Sequence, residues 1–271
     1  MPAELSVGLA EAEDGADAPG VGVVAPFDFA LDRELWRWAP EDVSLYLTRL
    51  PFFTTPVTVE MAVAVADRRS VRRATRDVLT PRPGVVTFAC TSGSFVSGVA
   101  GELVLRQTML EAGAPVATTT SGALVDALHL LGVEKLAIAT PYIAAVTGRL
   151  VDFLADNGVA TVASEGLGLL GNIWRVGYDQ VVDIVRAADR PDAEALFISC
   201  TNLPTYDIVE PLEQALGKPV ITANQVTMWA SLRAIGRRAV GGGRLLDLSL
   251  PADSVVGLST NSPGVLKRDR S

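Results

Sequence analysis

The feature that most constrains this chain is an internal repeat. Val85 to Ser92 matches Glu194 to Asn202: each is an apolar strand ending in Cys-Thr and a small polar residue. Downstream, Pro115-Val116-Ala117-Thr118 through Leu128 to Gly132 aligns without a gap to Pro219-Val220-Ile221-Thr222 through Leu232 to Gly236. A repeat of strand, Cys-Thr turn, helix, strand and helix implies duplication, and two copies of one unit pack best about a pseudo-twofold axis. The elements around it support an α/β class. β-branched runs alternate with helical patterns, which gives a parallel sheet covered by helices on both faces.

Strands are predicted at Val21 to Ala25, Val43 to Thr48, Val85 to Ala89, Pro115 to Ala117, Lys135 to Thr140, Val159 to Ser164, Ala195 to Ser199 and Pro219 to Thr222. Helices are predicted at Val57 to Val78, Phe95 to Glu111, Ser121 to Leu131, Ile143 to Asp156, Tyr178 to Ala188, Ile208 to Leu216 and Val226 to Ile235. The expected organisation is a disordered acidic segment at 1–19, a first half made of 20–117 plus 223–250, a second half at 118–222, and a surface tail at 251–271. The active site is expected in the cleft between the halves.

Composition narrows the function classes. A 271-residue chain with 49% hydrophobic content can bury a large core, and its net charge of -8 speaks against a phosphate-binding face, so no nucleic-acid partner is expected. Arg68-Arg69, Arg72-Arg73 and Arg237-Arg238 read as solvated helix faces. Residues 1–19 show neither a basic n-region nor an apolar h-region, and no apolar run approaches the roughly 20 residues of a membrane span. A soluble cytoplasmic protein without a membrane partner is the expectation. One histidine and two cysteines in separate halves leave no metal cluster. His129 reads as a surface or half-buried helix position and Gly241-Gly242-Gly243 as a turn after a helix, not a phosphate cradle.

The two cysteines, Cys90 and Cys200, sit at equivalent repeat positions at the carboxyl ends of strands, where open α/β sheets bind ligands. A helix is expected after each, so backbone N–H groups of Thr91, Ser92 and Gly93, and of Thr201 and Asn202, would face a carboxylate and lower the thiol pKa. One cysteine per half supplies one reagent per face of a substrate.

Ala89-Cys90-Thr91-Ser92-Gly93-Ser94-Phe95 and Ser199-Cys200-Thr201-Asn202-Leu203, with Gly217 to Gln225, resemble the aspartate/glutamate racemase superfamily and within it the maleate cis-trans isomerase and arylmalonate decarboxylase branch. The resemblance runs from about Val21 to Leu248. It implies a cofactor-independent isomerase acting on a small carboxylate, in which Cys90 adds to a double-bond carbon and Cys200 handles protons. Thr91, Ser92, Tyr142, Asn172, Thr201 and Asn202 would bind substrate. Racemisation, arylmalonate-type decarboxylation, or non-catalytic binding of a small acid are the alternatives, and a homodimer or tetramer is expected.

One departure concerns the substrate. Where the family carries a Ser/Thr-Asn pair after the first strand, this chain has Pro26-Phe27-Asp28-Phe29. An ionised Asp28 would repel a dicarboxylate, so the altered pocket suits an apolar or amine-bearing group in place of one carboxylate.

Overall fold

The computed structural model describes residues 20–248; the expected acidic segment at 1–19 and tail at 251–271 lie outside the described residues. The first half runs β1 (Gly20–Ala25), α1 (Asp32–Trp38), β2 (Ser44–Arg49), α2 (Val59–Val65), α3 (Arg68–Val78), β3 (Val85–Phe88), α4 (Thr91–Phe95), α5 (Gly98–Ala112) and β4 (Ala117–Thr119). From it, α6 (Thr120–Leu131) leads to the second sheet. The second half runs β5 (Lys135–Thr140), α7 (Ala144–Asp156), β6 (Ala160–Gly166), a 3-10 turn (Ile173–Arg175), α8 (Tyr178–Ala188), β7 (Ala195–Ile198), α9 (Val209–Leu216) and β8 (Val220–Thr222). Then α10 (Ala223–Ala234) returns to pack on α1 and β3, and α11 (Arg244–Asp247) closes the described chain.

Each half is a four-stranded parallel sheet, ordered β2-β1-β3-β4 and β6-β5-β7-β8. The orders are equivalent, so the repeat is a repeat of topology. Strands buried on both faces should read as continuous apolar runs, and β1, β3 and β7 are buried at every position. The covering helices bury one stripe. In α8 the stripe is Val181, Ile184, Val185 and Ala188, and its three branched side chains contribute about 1.5–3 kcal/mol each as an upper estimate.

All eight predicted strands are present, with no end displaced by more than two residues. The helix expected over Val57 to Val78 is two helices, because the Asp67 carboxylate accepts from Ser70 N at 2.9 Å and starts α3 anew. The helix α1 was not anticipated, since its Asp-Arg-Glu-Leu-Trp-Arg-Trp sequence is too short for a periodicity signal. The repeated glycines share a function: Gly132 and Gly236 both adopt left-handed backbone, at φ 68° and 69°, past the ends of α6 and α10. At the other ends, Thr119 accepts from Gly122 N and Thr222 from Gln225 N, so the ungapped alignment is one residue out of step at the helix starts.

Candidate active site

Both cysteines lie just past the central strands β3 and β7, and both line one small cavity between the halves. Its walls are Pro26, Asp28, Val57, Met61, Cys90, Thr91 and Ser92 from the first half, and Tyr142, Ile173, Cys200, Thr201 and Asn202 from the second. The cavity holds about 20 Å³, room for a single water, so the walls must part to admit a substrate. A larger groove of about 500 Å³ lies outside it between α5, α6 and α10 and contains neither thiol. His129 borders that groove, exposed on its helix as expected.

The two thiols have equivalent sequence positions and different backbones. Cys90 caps α4 in extended conformation, with Ser92 Oγ 3.9 Å from its sulfur and the Gly93 amide directed at it. Cys200 has φ 95°, a left-handed conformation that costs a non-glycine residue about 1–3 kcal/mol and is typical of functional turns. The expected helix after Cys200 is absent: Leu203 N closes a turn on Cys200 O at 3.2 Å, and α9 begins only at Val209. The backbone N–H of Asn202 nevertheless reaches the Cys200 sulfur at 3.4 Å.

The expected lowering of the thiol pKa is corrected by the structure. Burial pushes both thiols up to about 12, against the weaker opposing pull of the Gly93 amide at Cys90 and of the Asn202 amide and Tyr142 hydroxyl at Cys200. The Asp28 carboxylate raises both further, and among the described residues no Lys, Arg or His lines the cavity to offset it. The resting thiols are therefore neutral. Asp28 is half-buried, and desolvation lifts its own pKa.

Tyr142 is 2% exposed, packs edge-on against Phe95 at 6.2 Å and turns its hydroxyl toward Cys200; burial holds its pKa well above the usual value, so it remains a donor. The Thr91 hydroxyl is buried without a hydrogen-bond partner among the described residues. A fold seldom leaves such a group unmatched unless something else satisfies it. Ser92 is buried beside Cys90.

The remaining expected residues fall differently. Thr201 Oγ1 donates to Ala89 O at 3.3 Å, across the boundary between the halves. The Asn202 amide holds the turn after β1, accepting from Ala30 N at 2.9 Å and donating to Asp28 O at 3.1 Å. Both line the cavity, yet their side chains join the halves. Asn172 is exposed, lies outside the cavity walls and occupies the left-handed position (φ 54°) before the 3-10 turn; its neighbour Ile173 reaches the cavity instead.

Sequence reading missed the support beneath Cys200. Glu34 on α1, 7% exposed, accepts from Thr205 N, from Thr205 Oγ1 at 2.7 Å and from Asn224 Nδ2 at 3.0 Å. Asn224 also donates to Thr201 O at 3.1 Å. Nothing in the local pattern around Glu34 marks a residue that acts on a turn 170 positions away.

Comparison with known proteins agrees with this geometry. A family model described as arylmalonate decarboxylase matches residues 60–246. Arylmalonate decarboxylase of Bordetella bronchiseptica is 33% identical over 246 residues, covering 86% of this chain and 99% of that protein. Maleate isomerase of Nocardia farcinica is 27% identical over 242 residues, covering 83% and 94%. Among solved structures, a liganded arylmalonate decarboxylase mutant, with one glycine changed to cysteine and one cysteine to serine, superposes with a TM-score of 0.77 at 31% identity, covering 85% of this chain and 100% of that one. A Nocardia farcinica maleate cis-trans isomerase mutant with a covalently bound succinylcysteine intermediate shares the fold, with a TM-score of 0.77 at 23% identity and coverage of 84% and 98%.

Proposed function

Because this chain belongs to the arylmalonate decarboxylase family, we propose that it is a cofactor-independent enzyme that moves a proton at the carbon next to a carboxylate, with Cys90 and Cys200 as its acid–base pair. The observation that carries this reading is one small cavity bordered by a thiol from each half, with a Thr91 hydroxyl beside them that has no partner among the described residues. Thr91 Oγ1, the Tyr142 hydroxyl and the backbone amides after Cys90 are the donors for carboxylate and enediolate oxygens. Val57, Met61 and Ile173 offer an apolar wall for the rest of the substrate.

A neutral thiol suits the protonating half of such a reaction. In decarboxylation the bond to the departing carboxylate breaks, carbon dioxide leaves, and the electron pair remains as an enediolate. The thiol proton then passes to the α-carbon, and the thiolate regains a proton from water. In proton exchange one cysteine, as thiolate, removes the α-proton while the thiol on the opposite face delivers another, which inverts the centre.

A second reading, maleate-type isomerisation with Cys90 as nucleophile and Cys200 as acid/base, is favoured by the presence of two cysteines and by the likeness to maleate isomerase. Like proton exchange it requires a thiolate, and it also requires two bound carboxylates in a cavity that contains Asp28. The test is incubation of wild type, Cys90→Ser and Cys200→Ser with phenylmalonate, 2-phenylpropionate and maleate in deuterated water. Thiol-dependent deuterium at the α-carbon or carbon dioxide release supports proton transfer; fumarate from maleate without either shifts the assignment to isomerisation. Saturable binding with no turnover in any arm would mark a non-catalytic acid-binding protein.

A further inference from the structure

Among the described residues Asp28 is the single charged side chain on the cavity wall, which it shares with two neutral thiols. Its position is built. The Asn202 side chain grips the turn from both sides, taking Ala30 N and giving to Asp28 O, and Arg49 adds hydrogen bonds to Phe29 O at 3.0 and 3.2 Å. These clamps act on the backbone of the turn, and the Asp28 side chain lies on the cavity wall, where its charge acts on both thiols; none of the seven ion pairs among the described residues includes it. A half-buried carboxylate on the wall of a small cavity, carried by a clamped turn and with no cation beside it among the described residues, is complementary to a ligand that brings the cation.

We propose that Asp28 is the specificity-determining residue of this cavity and selects a substrate with one carboxylate and a protonated amine on the carbon that exchanges its proton. The proposal rests on the proton-transfer reading above and narrows it. A second carboxylate at that position meets a like charge in low dielectric, whereas an ammonium gains a charge-assisted hydrogen bond. Asn202 acts as a positioning residue, since its side-chain amide holds the backbone of the Asp28 turn.

Three ligands that differ in one substituent test it: phenylglycine, phenylmalonate and 2-phenylpropionate place an ammonium, a carboxylate or a methyl on the same α-carbon. Binding is measured by calorimetry and α-exchange by proton NMR in deuterated water, for wild type, Asp28→Asn, Asn202→Ala and the two Cys→Ser variants. Wild type is expected to bind and exchange phenylglycine about tenfold or more in preference to 2-phenylpropionate, with phenylmalonate weakest. In Asp28→Asn the phenylglycine to phenylmalonate ratio should fall about tenfold or more, and in Asn202→Ala it should fall in the same direction by less.

A wild-type preference for phenylmalonate, or an Asp28→Asn variant that moves all three ligands by one common factor, overturns the proposal. Thiol-dependent exchange of 2-phenylpropionate without preference for phenylglycine removes this inference and leaves the proton-transfer reading standing. Exchange that survives in both Cys→Ser variants removes that reading instead. Absence of exchange for every ligand removes the reading too, and the binding order still decides the role of Asp28.

Discussion

Replacing Glu34 by alanine should destabilise the protein by about 2–4 kcal/mol, and the figure follows from counting donors. The carboxylate takes Thr205 N, Thr205 Oγ1 and Asn224 Nδ2. Thr205 Oγ1 has a second partner in Thr222 Oγ1 at 3.1 Å, so two buried donors, Thr205 N and Asn224 Nδ2, lose their acceptor. Each orphaned donor costs about 1–3 kcal/mol. Part is recovered, because burial raises the pKa of Glu34 despite its donors and the variant no longer carries that desolvated charge. Urea unfolding followed by circular dichroism reads the difference, with Thr205→Val as a control that removes only the hydroxyl and should cost about 1 kcal/mol. At temperatures where the variant is folded, turnover should drop about tenfold or more, since the turn that carries Cys200 loses its anchor. A stability loss below about 1 kcal/mol would show that the donors find water or other acceptors and that Glu34 does not hold the turn.

Three further outcomes are expected. At φ 95°, Cys200→Gly should be more stable than Cys200→Ala by about 0.5–1 kcal/mol in urea unfolding, reversing the usual order at a buried site; an alanine variant equal or better contradicts the strained turn. Because both thiol pKa values are raised from 9.0 to about 12, the fold favours the neutral form, and that contribution is fully present below pH 9 and is lost as pH climbs toward 12. Wild-type unfolding midpoints should therefore fall more steeply over that window than those of the Cys90→Ser/Cys200→Ser double variant, and parallel curves would refute the burial argument. Gly122→Ala places a Cβ 2.6 Å from Glu102 Oε1, so it should cost about 1–3 kcal/mol by thermal unfolding, and a neutral result would mean that Glu102 moves freely.

The sheets and the thiol pair were legible in the sequence for one physical reason. Strands buried on both faces have to be apolar throughout, and a duplicated strand-Cys-Thr unit puts two thiols at equivalent strand ends whatever happens around them. Features that depend on contacts across the halves were not legible. The double role of Asn202 is set by Ala30 and Asp28, 172 and 174 positions away. The raised thiol pKa depends on closure of the cavity and on the Asp28 charge, whereas local reasoning saw only amides and a helix start. Asn172 shows the opposite failure: a polar residue beside a glycine-rich run looked like a ligand contact, and its backbone conformation is what the turn uses.

Duplication accounts for the symmetry of the site, and the cross-links between the halves account for its asymmetry. Thr201 ties to Ala89, Asn202 to the Asp28 turn, and Thr205 to Glu34, and in each case a residue of the segment after Cys200 is bonded to the half that carries Cys90. These bonds fix the relation between Cys90 and Cys200 more directly than either sheet does. They also differ at the two thiols: the turn after Cys200 is held by side chains from α1 and α10 on the far side of the boundary, while Cys90 opens directly into α4 and is held by Ser94 of that helix and Ser121 of α6. Two copies of one turn therefore present two thiols in different surroundings, Cys200 beside Tyr142 and the Asn202 amide and Cys90 beside Ser92 and the Gly93 amide. An acid and a base on opposite faces of one carbon must differ in protonation state, and unequal surroundings bias which of two thiols gives up its proton first.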